Sequence, residues 1–290
     1  MRIKAPLHVT GFWIPFIYPD PVITGSIGAG LLLCPPATIK TGTRITTVNG
    51  VKAGENIRKT IQRILKTENV NAEVKSPAEL GEGFGMSAIL SIALAADGLQ
   101  RQSTCCSEEE IGRTAHLAEV MNRTGLGDVI SIMTGEGLVV RTRPGPPGIG
   151  ETFSIPLKEE LRIVSVTTGE IYTPKMLESL AGKIRRFGRE AMENFLRNET
   201  LENFLETARK FSMKTGMLPQ YLKEQLRRLQ PYIRKGLVLG YYRKKNVLII
   251  VAEKSGAMEI ADNVKDLGKT RVFRPCTQER FEVTPNDKNT

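Results

Sequence analysis

The 290-residue chain carries a formal net charge of +10 at pH 7, and its 40% hydrophobic and 25% charged residues are typical of a globular protein. This length allows a sizeable core and predicts two domains. The longest apolar run is too short to span a bilayer and the N-terminus lacks a signal-peptide pattern, so we expect no membrane partner and a cytoplasmic location.

Charge and cysteine content narrow the choice of partner and compartment. Residues 1–150 have 15 basic and 13 acidic side chains, whereas residues 151–290 have 26 and 18. The basic residues of the second half are mixed with acidic ones along predicted helices, which favours solvated helix faces over a nucleic-acid surface. No metal-ligand spacing connects the cysteines, so we expect free thiols in a reducing compartment at Cys34, Cys105, Cys106 and Cys276.

The first 70 residues predict strands, a hairpin and one helix. Residues 2–13 alternate as in a strand, which a proline confines to a sheet edge or a bulge. The run GSIGAG, Gly25 to Gly30, predicts a glycine loop before the next strand. It either shapes one wall of a cavity, where Ser26 contributes a hydroxyl, or simply connects a hairpin. Asn49-Gly50 predicts a hairpin turn, and residues 56–68 predict an amphipathic helix.

The segment from Ser76 to Gly98 joins a glycine-rich turn to an apolar helix. Its alternating glycines, at 81, 83 and 85, allow positive φ and close approach of the backbone to a ligand. The uncharged run that follows predicts a helix buried on nearly all sides, whose N-terminus favours a bound anion. The alternative is a tight turn before a core helix. The segment fits neither a Walker loop, which requires a lysine, nor a dinucleotide-binding fingerprint, because its third glycine is displaced.

Two acidic side chains follow this segment in the chain. A capping box at Ser107 and Glu110 predicts the start of a helix, after which come TGLGD and VISIMT, the latter resembling a strand. Asp128, flanked by glycines, either projects into a cleft or closes an Asx turn. Glu119 is either a surface residue or, with Ser87, a ligand of Mg²⁺, since this cation prefers oxygen ligands.

The second half has a different order of elements. A segment rich in proline and glycine, residues 144–150, predicts the exit from a first domain. A strand, three helices with the third over residues 220–234, two strands around the basic turn Arg243-Lys244-Lys245, a helix and a last strand are expected to follow. This order is compatible with a ferredoxin-like sheet that has helices on one face. The predicted domains are residues 1–150 and 151–290, with a polar tail after about residue 283.

Three motifs together resemble the GHMP small-molecule kinases. They are AP-x-H-x-x-G around His8, P-x-x-x-G-x-G-x-G-x-S-A around Gly83, and TGLGD ending at Asp128, and they span most of residues 1–140. At position 8, where many GHMP kinases have lysine, this chain has histidine. With this histidine and the segments GSIGAG and TGLGD, the chain resembles the archaeal pantoate kinases within that class.

The resemblance implies an α+β, two-domain GHMP-kinase fold. Its N-terminal part is a mixed α/β domain with the phosphate loop, and its C-terminal part is a ferredoxin-like α/β sandwich. One departure is visible, because the third glycine-rich motif of most GHMP kinases is reduced here to Gly236 and Gly240. A homodimer is also implied by these relatives.

The resemblance further implies transfer of the γ-phosphoryl group of ATP to the primary hydroxyl of pantoate, giving 4-phosphopantoate for coenzyme A synthesis. Asp128 would orient or deprotonate that hydroxyl, and Glu119 with Ser87 would hold Mg²⁺. His8 would either donate to a phosphate or to substrate, or serve only as a structural residue of its strand. A basic chain would also attract ATP and an anionic substrate. Candidate partners of the substrate carboxylate are Gly25, Ser26, Arg141 and Arg143. The implied nucleotide-binding residues are Pro77, Gly81, Gly83, Phe84, Gly85, Met86, Ser87 and Ala88.

Two alternatives remain open at this point. The first is a kinase of the same fold whose acceptor is mevalonate, a phosphomevalonate or homoserine. Activity measured with a panel of acceptors distinguishes it from a pantoate kinase. A catalytically inactive scaffold with an RNA-binding surface on the second half predicts salt-sensitive retention of RNA without release of ADP.

Overall fold

The computed structural model describes residues 1–102, 106–168 and 174–284. Within these ranges, no helix combines the length and the apolar character needed to cross a membrane.

The elements of the first half are β1 (Arg2–Phe16), β2 (Gly25–Thr41), β3 (Thr47–Val48), β4 (Val51–Lys52), α1 (Glu55–Leu65), β5 (Ala72–Lys75), α2 (Met86–Gln102), α3 (Glu108–Asn122), α4 (Asp128–Thr134), β6 (Leu138–Arg143) and β7 (Glu151–Ile155). Those of the second half are β8 (Leu161–Thr167), α5 (Pro174–Phe195), α6 (Leu201–Thr215), α7 (Gln220–Gln225), a 3₁₀ turn (Leu226–Leu229), α8 (Gln230–Arg234), β9 (Val238–Lys244), β10 (Val247–Glu253), α9 (Ala257–Val264), β11 (Lys269–Pro275) and β12 (Glu282–Thr284).

The strands of the described residues form one sheet that runs through both halves of the chain. Its main path is β4-β3-β5-β2-β11-β8-β10-β9, with β1, β6, β7 and β12 paired off this path. β11 joins the halves because it pairs with β2 at one end and with β8 along most of its length. The order β11-β8-β10-β9, with antiparallel neighbours and helices after β8 and after β10, is that of a ferredoxin-like unit. The division near residue 150 stays a prediction.

The ferredoxin-like unit is covered on both faces, so the prediction of helices on one face is wrong. On β10, Leu248 and Ile250 belong to an apolar cluster with α7 and α9. Ile249 and Val251 belong to the larger cluster that includes α6 and the first half of the chain. A continuous apolar run such as β10 is typical of a strand buried on both faces, which explains the arrangement.

The glycine-rich turn and the apolar helix are confirmed. Gly81, Gly83 and Gly85 have φ of +90°, +94° and +73°, values that an L side chain rarely adopts. Helix α2 begins directly after them and is buried along most of its length. Its N-terminus therefore lies at the end of a loop whose backbone could not be built from other residue types without strain.

The segment GSIGAG forms the first part of β2, so the prediction of a glycine loop there is wrong. These glycines let β1 and β2 approach each other closely. A Cβ at Gly30 would lie 2.5 Å from His8 Nε2 and 2.8 Å from the Cα of Thr10, and one at Gly28 would collide with the backbone of Phe12. Pro6 lies at a bulge in β1 between Ala5 and Leu7, which is one of the two positions that the sequence left open for it.

Two further elements differ from the prediction. VISIMT belongs to α4, in which the Gly127 carbonyl accepts from Ser131 N–H at 3.3 Å, because a short apolar run fits a buried helix as well as a strand. The helix expected over residues 220–234 is divided into α7, a 3₁₀ turn and α8. Pro231 lies at the start of α8, where its missing N–H costs no intrahelical bond.

Cys34 and Cys276 form a disulfide, so the prediction of free thiols is wrong for this pair. Their Cα atoms are 5.2 Å apart although 242 positions separate them in the chain. The register of β11 against β2 brings them together, since it places Arg274 opposite Cys34. Cys105 lies outside the described residues, and Cys106 is half-buried.

Candidate active site

A cavity of about 520 Å³ is lined by residues from both halves of the chain. β1 and β2 form one wall, and the loop between α3 and α4 forms another. β6, α5 and β9 complete the lining. Its polar lining residues are Thr10, Thr24, Ser26, Arg123, Thr124, Asp128, Arg141, Lys244 and Lys245, among apolar side chains that include Trp13, Ile17, Leu126 and Ile184.

Asp128 lies at the start of α4, and three side chains surround its carboxylate. His8 Nδ1 is 2.6 Å from Asp128 Oδ1, Thr10 Oγ1 is 3.5 Å from the same oxygen, and Lys244 Nζ is 3.7 Å away. Burial acts to raise the pKa of the Asp128 carboxyl, but the Lys244 ammonium and the His8 hydrogen bond outweigh it, and the pKa lies well below its ordinary value. The carboxylate is therefore ionised at neutral pH.

His8 is a buried neutral imidazole that fixes this carboxylate. Because an ionised carboxylate only accepts hydrogen bonds, Nδ1 is the nitrogen that donates to Asp128. Burial lowers the pKa of His8 to about 4, against the opposing effect of Asp128. The backbone of His8 also contacts the glycine-rich loop, since its N–H donates to the Phe84 carbonyl at 3.1 Å.

Glu119 lies on α3 and faces the first turn of α2. Its carboxylate accepts hydrogen bonds from Ser87 at 2.9 Å, Ser91 at 3.1 Å and Thr124 at 2.6 Å. Burial raises the pKa of Glu119 to about 7, and the nearby Asp128 charge acts in the same direction. Glu119 is thus a buried acid at the N-terminus of α2, and the surface position considered from the sequence is wrong.

The glycines of TGLGD leave room for the polar side chains around the cavity. A Cβ at Gly125 would collide with Glu119 Oε2 and lie 3.7 Å from Asp128 Oδ2, so Gly125 lies between the two acids. A Cβ at Gly127 would lie 2.6 Å from both Arg141 Nε and Ser26 Oγ. Glycine at these two positions therefore leaves the space that the side chains of Glu119, Asp128, Arg141 and Ser26 occupy.

The candidate substrate-binding residues are only partly brought together. Arg141 is buried, lines the cavity and donates to the Ser26 carbonyl at 3.3 Å and to Ser131 Oγ at 2.8 Å. Burial lowers the pKa of Arg141 to about 10, which leaves the guanidinium charged. Arg143 points elsewhere because a bulge interrupts β6 between the two arginines, and its exposed side chain pairs with Glu151 at 2.6 Å. Gly25 packs against the segment after β6, since a Cβ there would lie 2.7 Å from the backbone nitrogen of Gly145.

The glycine-rich loop is attached to the second half of the chain by an ion pair. Arg271 on β11 donates to both oxygens of Glu82, at 2.9 and 2.8 Å, and both side chains are largely buried. Burial acts to raise the pKa of Glu82, but the Glu79 N–H and Arg271 outweigh it and lower this pKa. A Cβ at Gly83 would lie 3.1 Å from Val247, so the loop also packs against the β9–β10 turn.

Two residues beside Asp128, Thr10 and Lys244, were missed from the sequence. Thr10 could have been found, because residues two apart in a strand share a face and His8 was already a candidate. Lys244 was noted only as part of a basic turn. Nothing local indicates that β9 brings its ammonium to the first half of the chain. His116, also unassigned, is buried and donates Nε2–H to the Thr24 carbonyl at 2.8 Å behind the cavity wall.

Comparison with known proteins agrees with this architecture. No family model matches the chain. Pantoate kinase of Thermococcus kodakarensis is 31% identical over 258 residues, which cover 81% of this chain and 82% of the relative. Pantoate kinase of Methanocaldococcus jannaschii is 29% identical over 222 residues, covering 74% and 80%.

Solved structures give the same result at the level of the fold. A phosphotransferase related to the coenzyme A biosynthesis pathway superimposes with a TM-score of 0.80 at 26% identity, covering 97% of this chain and 98% of that structure. Mevalonate-3-kinase of Thermoplasma acidophilum superimposes with a TM-score of 0.65 at 11% identity, covering 97% and 96%. Fold and site together define a small-molecule kinase of the GHMP class. Within that class the chain belongs to the pantoate kinase family, because the similarity to the Thermococcus enzyme spans most of both chains.

Proposed function

We propose that this protein transfers the γ-phosphoryl group of ATP to the primary hydroxyl of pantoate, giving 4-phosphopantoate and ADP. The observation that carries this proposal is that an ionised carboxylate, Asp128, and a buried guanidinium, Arg141, line the same cavity in a member of the pantoate kinase family. Pantoate has one primary hydroxyl and one carboxylate, so each end of the substrate meets a group of suitable chemistry.

The acceptor is oriented by its carboxylate. Arg141 binds this group, helped by the hydroxyl of Ser26, since guanidinium–carboxylate pairs combine charge with directed hydrogen bonds. The gem-dimethyl group of pantoate then packs against apolar lining residues such as Trp13, Leu126 and Ile184. This orientation directs the primary hydroxyl toward Asp128.

The nucleotide phosphates bind at the glycine-rich loop and the N-terminus of α2. Backbone N–H groups and the helix dipole favour anions there, and the positive φ values bring the backbone close to a ligand. Glu119 and Ser87 fit a Mg²⁺ ion because they offer hard oxygen donors. Glu119 is also a buried acid beside Asp128, and its hydrogen-bond partners among the described residues are hydroxyls rather than cations. When bound, Mg²⁺ would neutralise phosphate charge.

Asp128 acts mainly by orientation. Its low pKa makes it a weak base, and phosphoryl transfer through a loose transition state needs little proton removal before the phosphorus–oxygen bond forms. The hydroxyl oxygen attacks the γ-phosphorus, the bond to the β–γ bridging oxygen breaks, and Asp128 accepts the hydroxyl proton. The neutral His8 fixes the carboxylate throughout.

Kinetics of arginine variants test the assignment of the substrate carboxylate. We expect Arg141→Met to raise the KM for pantoate about 10- to 100-fold, because a hydrogen bond to a charged group contributes about 1.5–3 kcal/mol, and to change the KM for ATP by less than about threefold. Arg143→Met, whose side chain lies outside the cavity, is expected to match the wild type. Thermal melting establishes that each variant is folded. An unchanged KM for pantoate in folded Arg141→Met, or an effect of Arg143→Met instead, would contradict the proposal.

A further inference from the structure

Phosphoryl transfer requires positive charge near the oxygens of the moving group, in addition to any metal ion. Among the described residues that line the cavity, the cationic side chains are Arg123, Arg141, Lys244 and Lys245. Arg123 is exposed at the rim, and Arg141, which also donates to Ser26 and Ser131, is assigned to the acceptor carboxylate. His8 adds no charge because it is buried in the neutral form.

Lys244 is placed differently from the other three cations. Its side chain is 9% exposed, its Nζ is 3.7 Å from Asp128 Oδ1, and it donates to Thr10 Oγ1 at 3.3 Å. An ammonium group has three donors. Two are directed at Thr10 and Asp128, and the residue lines the cavity in which those partners lie.

The strand that carries Lys244 also adjoins the glycine-rich loop. Lys244 is the last residue of β9, and the turn after it packs against Gly83, whose Cβ would lie 3.6 Å from Asn246 Oδ1. The same turn is tied to the end of β8, because Thr168 N–H donates to the Asn246 carbonyl at 2.8 Å. Lys244 therefore lies between the loop that faces the phosphates and the carboxylate that faces the acceptor hydroxyl.

We infer that Lys244 is a catalytic residue whose ammonium contacts the oxygens of the transferring phosphoryl group while it remains paired with the Asp128 carboxylate. This inference rests on the proposed kinase function. It makes the site incomplete without the second half of the chain, since β9 supplies the only cation within ion-pair distance of Asp128 among the described residues that line the cavity.

Steady-state kinetics of Lys244→Met test the inference, since methionine has similar length and no charge. We expect kcat to fall about 10²- to 10³-fold, as for the removal of one charge-stabilising donor, and the KM values for ATP and pantoate to change by less than about threefold. Lys254→Met is the matched control, because Lys254 is an exposed lysine just after β10 and lies outside the cavity. In Lys244→Ala, added ethylammonium should restore part of the lost kcat, whereas a purely structural role gives no such rescue.

The outcomes separate this inference from the proposed function. If neither the wild type nor Lys254→Met releases ADP with pantoate, both the kinase proposal and this inference are contradicted. If the wild type is active and the kcat of Lys244→Met is within threefold of the wild-type value, the role of Lys244 alone is overturned. The same holds if the substitution changes only KM. If the methionine variant does not fold, Lys244→Gln, which retains a hydrogen bond to Thr10, is judged by the same criteria.

Discussion

His8 and Asp128 form a buried pair in which the imidazole is neutral and the carboxylate is charged. Their hydrogen bond is 2.6 Å long, and two cations, Arg141 and Lys244, lie close enough to affect the pKa values of both residues. Protonation of His8 would place a third positive charge in this group. The stability that this pair contributes is therefore expected to decrease as the pH falls below neutrality.

Replacement of His8 tests this coupling through stability. The pKa of His8 is about 4 in the folded protein and about 6.5 when unfolded, so between these values the unfolded chain binds a proton that the folded protein does not. Stability due to His8 is present above pH 6.5 and is lost as the pH falls toward 4, by about 3 kcal/mol in total. His8→Asn, which keeps a donor for Asp128, should show a shallower loss of unfolding free energy in urea between pH 7 and pH 5.

Other titrating groups also change the stability with pH, so the wild type and His8→Asn must be compared at each pH. Burial also lowers the pKa of His116, which contributes a loss of the same sign in wild type and variant alike. The depressed pKa of Asp128 contributes stability that is lost only below about pH 4. The informative quantity is therefore the difference between the two proteins, and parallel pH profiles would contradict a neutral buried His8.

At the scale of elements, the glycine-rich loop is held in place by β11. The Glu82–Arg271 pair fixes the loop on one side and the β9–β10 turn supports it on the other. We expect Glu82→Gln to raise the KM for ATP about 5- to 20-fold with a smaller effect on kcat, because loss of one charge-assisted pair of this kind corresponds to about 1–2 kcal/mol. Fluorescence titration with ADP should show the same ratio of affinities.

Glu79→Gln is the matched comparison for this loop. Glu79 pairs with Lys269 at 2.5 Å, but both side chains are more than half exposed, and exposed pairs contribute about 0–1 kcal/mol. Its KM for ATP should stay within about threefold of the wild-type value. Equal effects of the two substitutions would show that the loop responds to surface charge rather than to the buried contact with Arg271.

Local signals explain which elements could be predicted from the sequence. The capping box at Ser107, the Asn49-Gly50 turn and the apolar run of α2 act within a few residues, and all three are present. The prediction for GSIGAG is wrong because its glycines are required by the close approach of β1, which is a tertiary contact. The disulfide between Cys34 and Cys276 depends on strand pairing across 242 positions and gives no local signal.

At the scale of the whole molecule, the site is assembled from motifs that are far apart in the chain. His8, Ser87, Glu119 and Asp128 were all candidates from the first half, and the structure brings them into hydrogen-bonded groups around α2 and α4. Lys244 was not a candidate, because the sheet that carries it to the site is continuous through β11 and this continuity is invisible in the sequence. Sequence motifs thus predicted candidate residues in the first half of the chain and none of those that the second half brings beside Asp128.

The most direct test of the account is release of ADP by the purified protein with Mg²⁺-ATP, with pantoate, pantothenate, mevalonate and homoserine compared as acceptors. We predict turnover with pantoate alone, 4-phosphopantoate as its product, and a loss of about 10²- to 10⁴-fold in Asp128→Asn with ADP binding retained. Turnover with mevalonate or homoserine but not with pantoate, or no turnover with any acceptor, would contradict it.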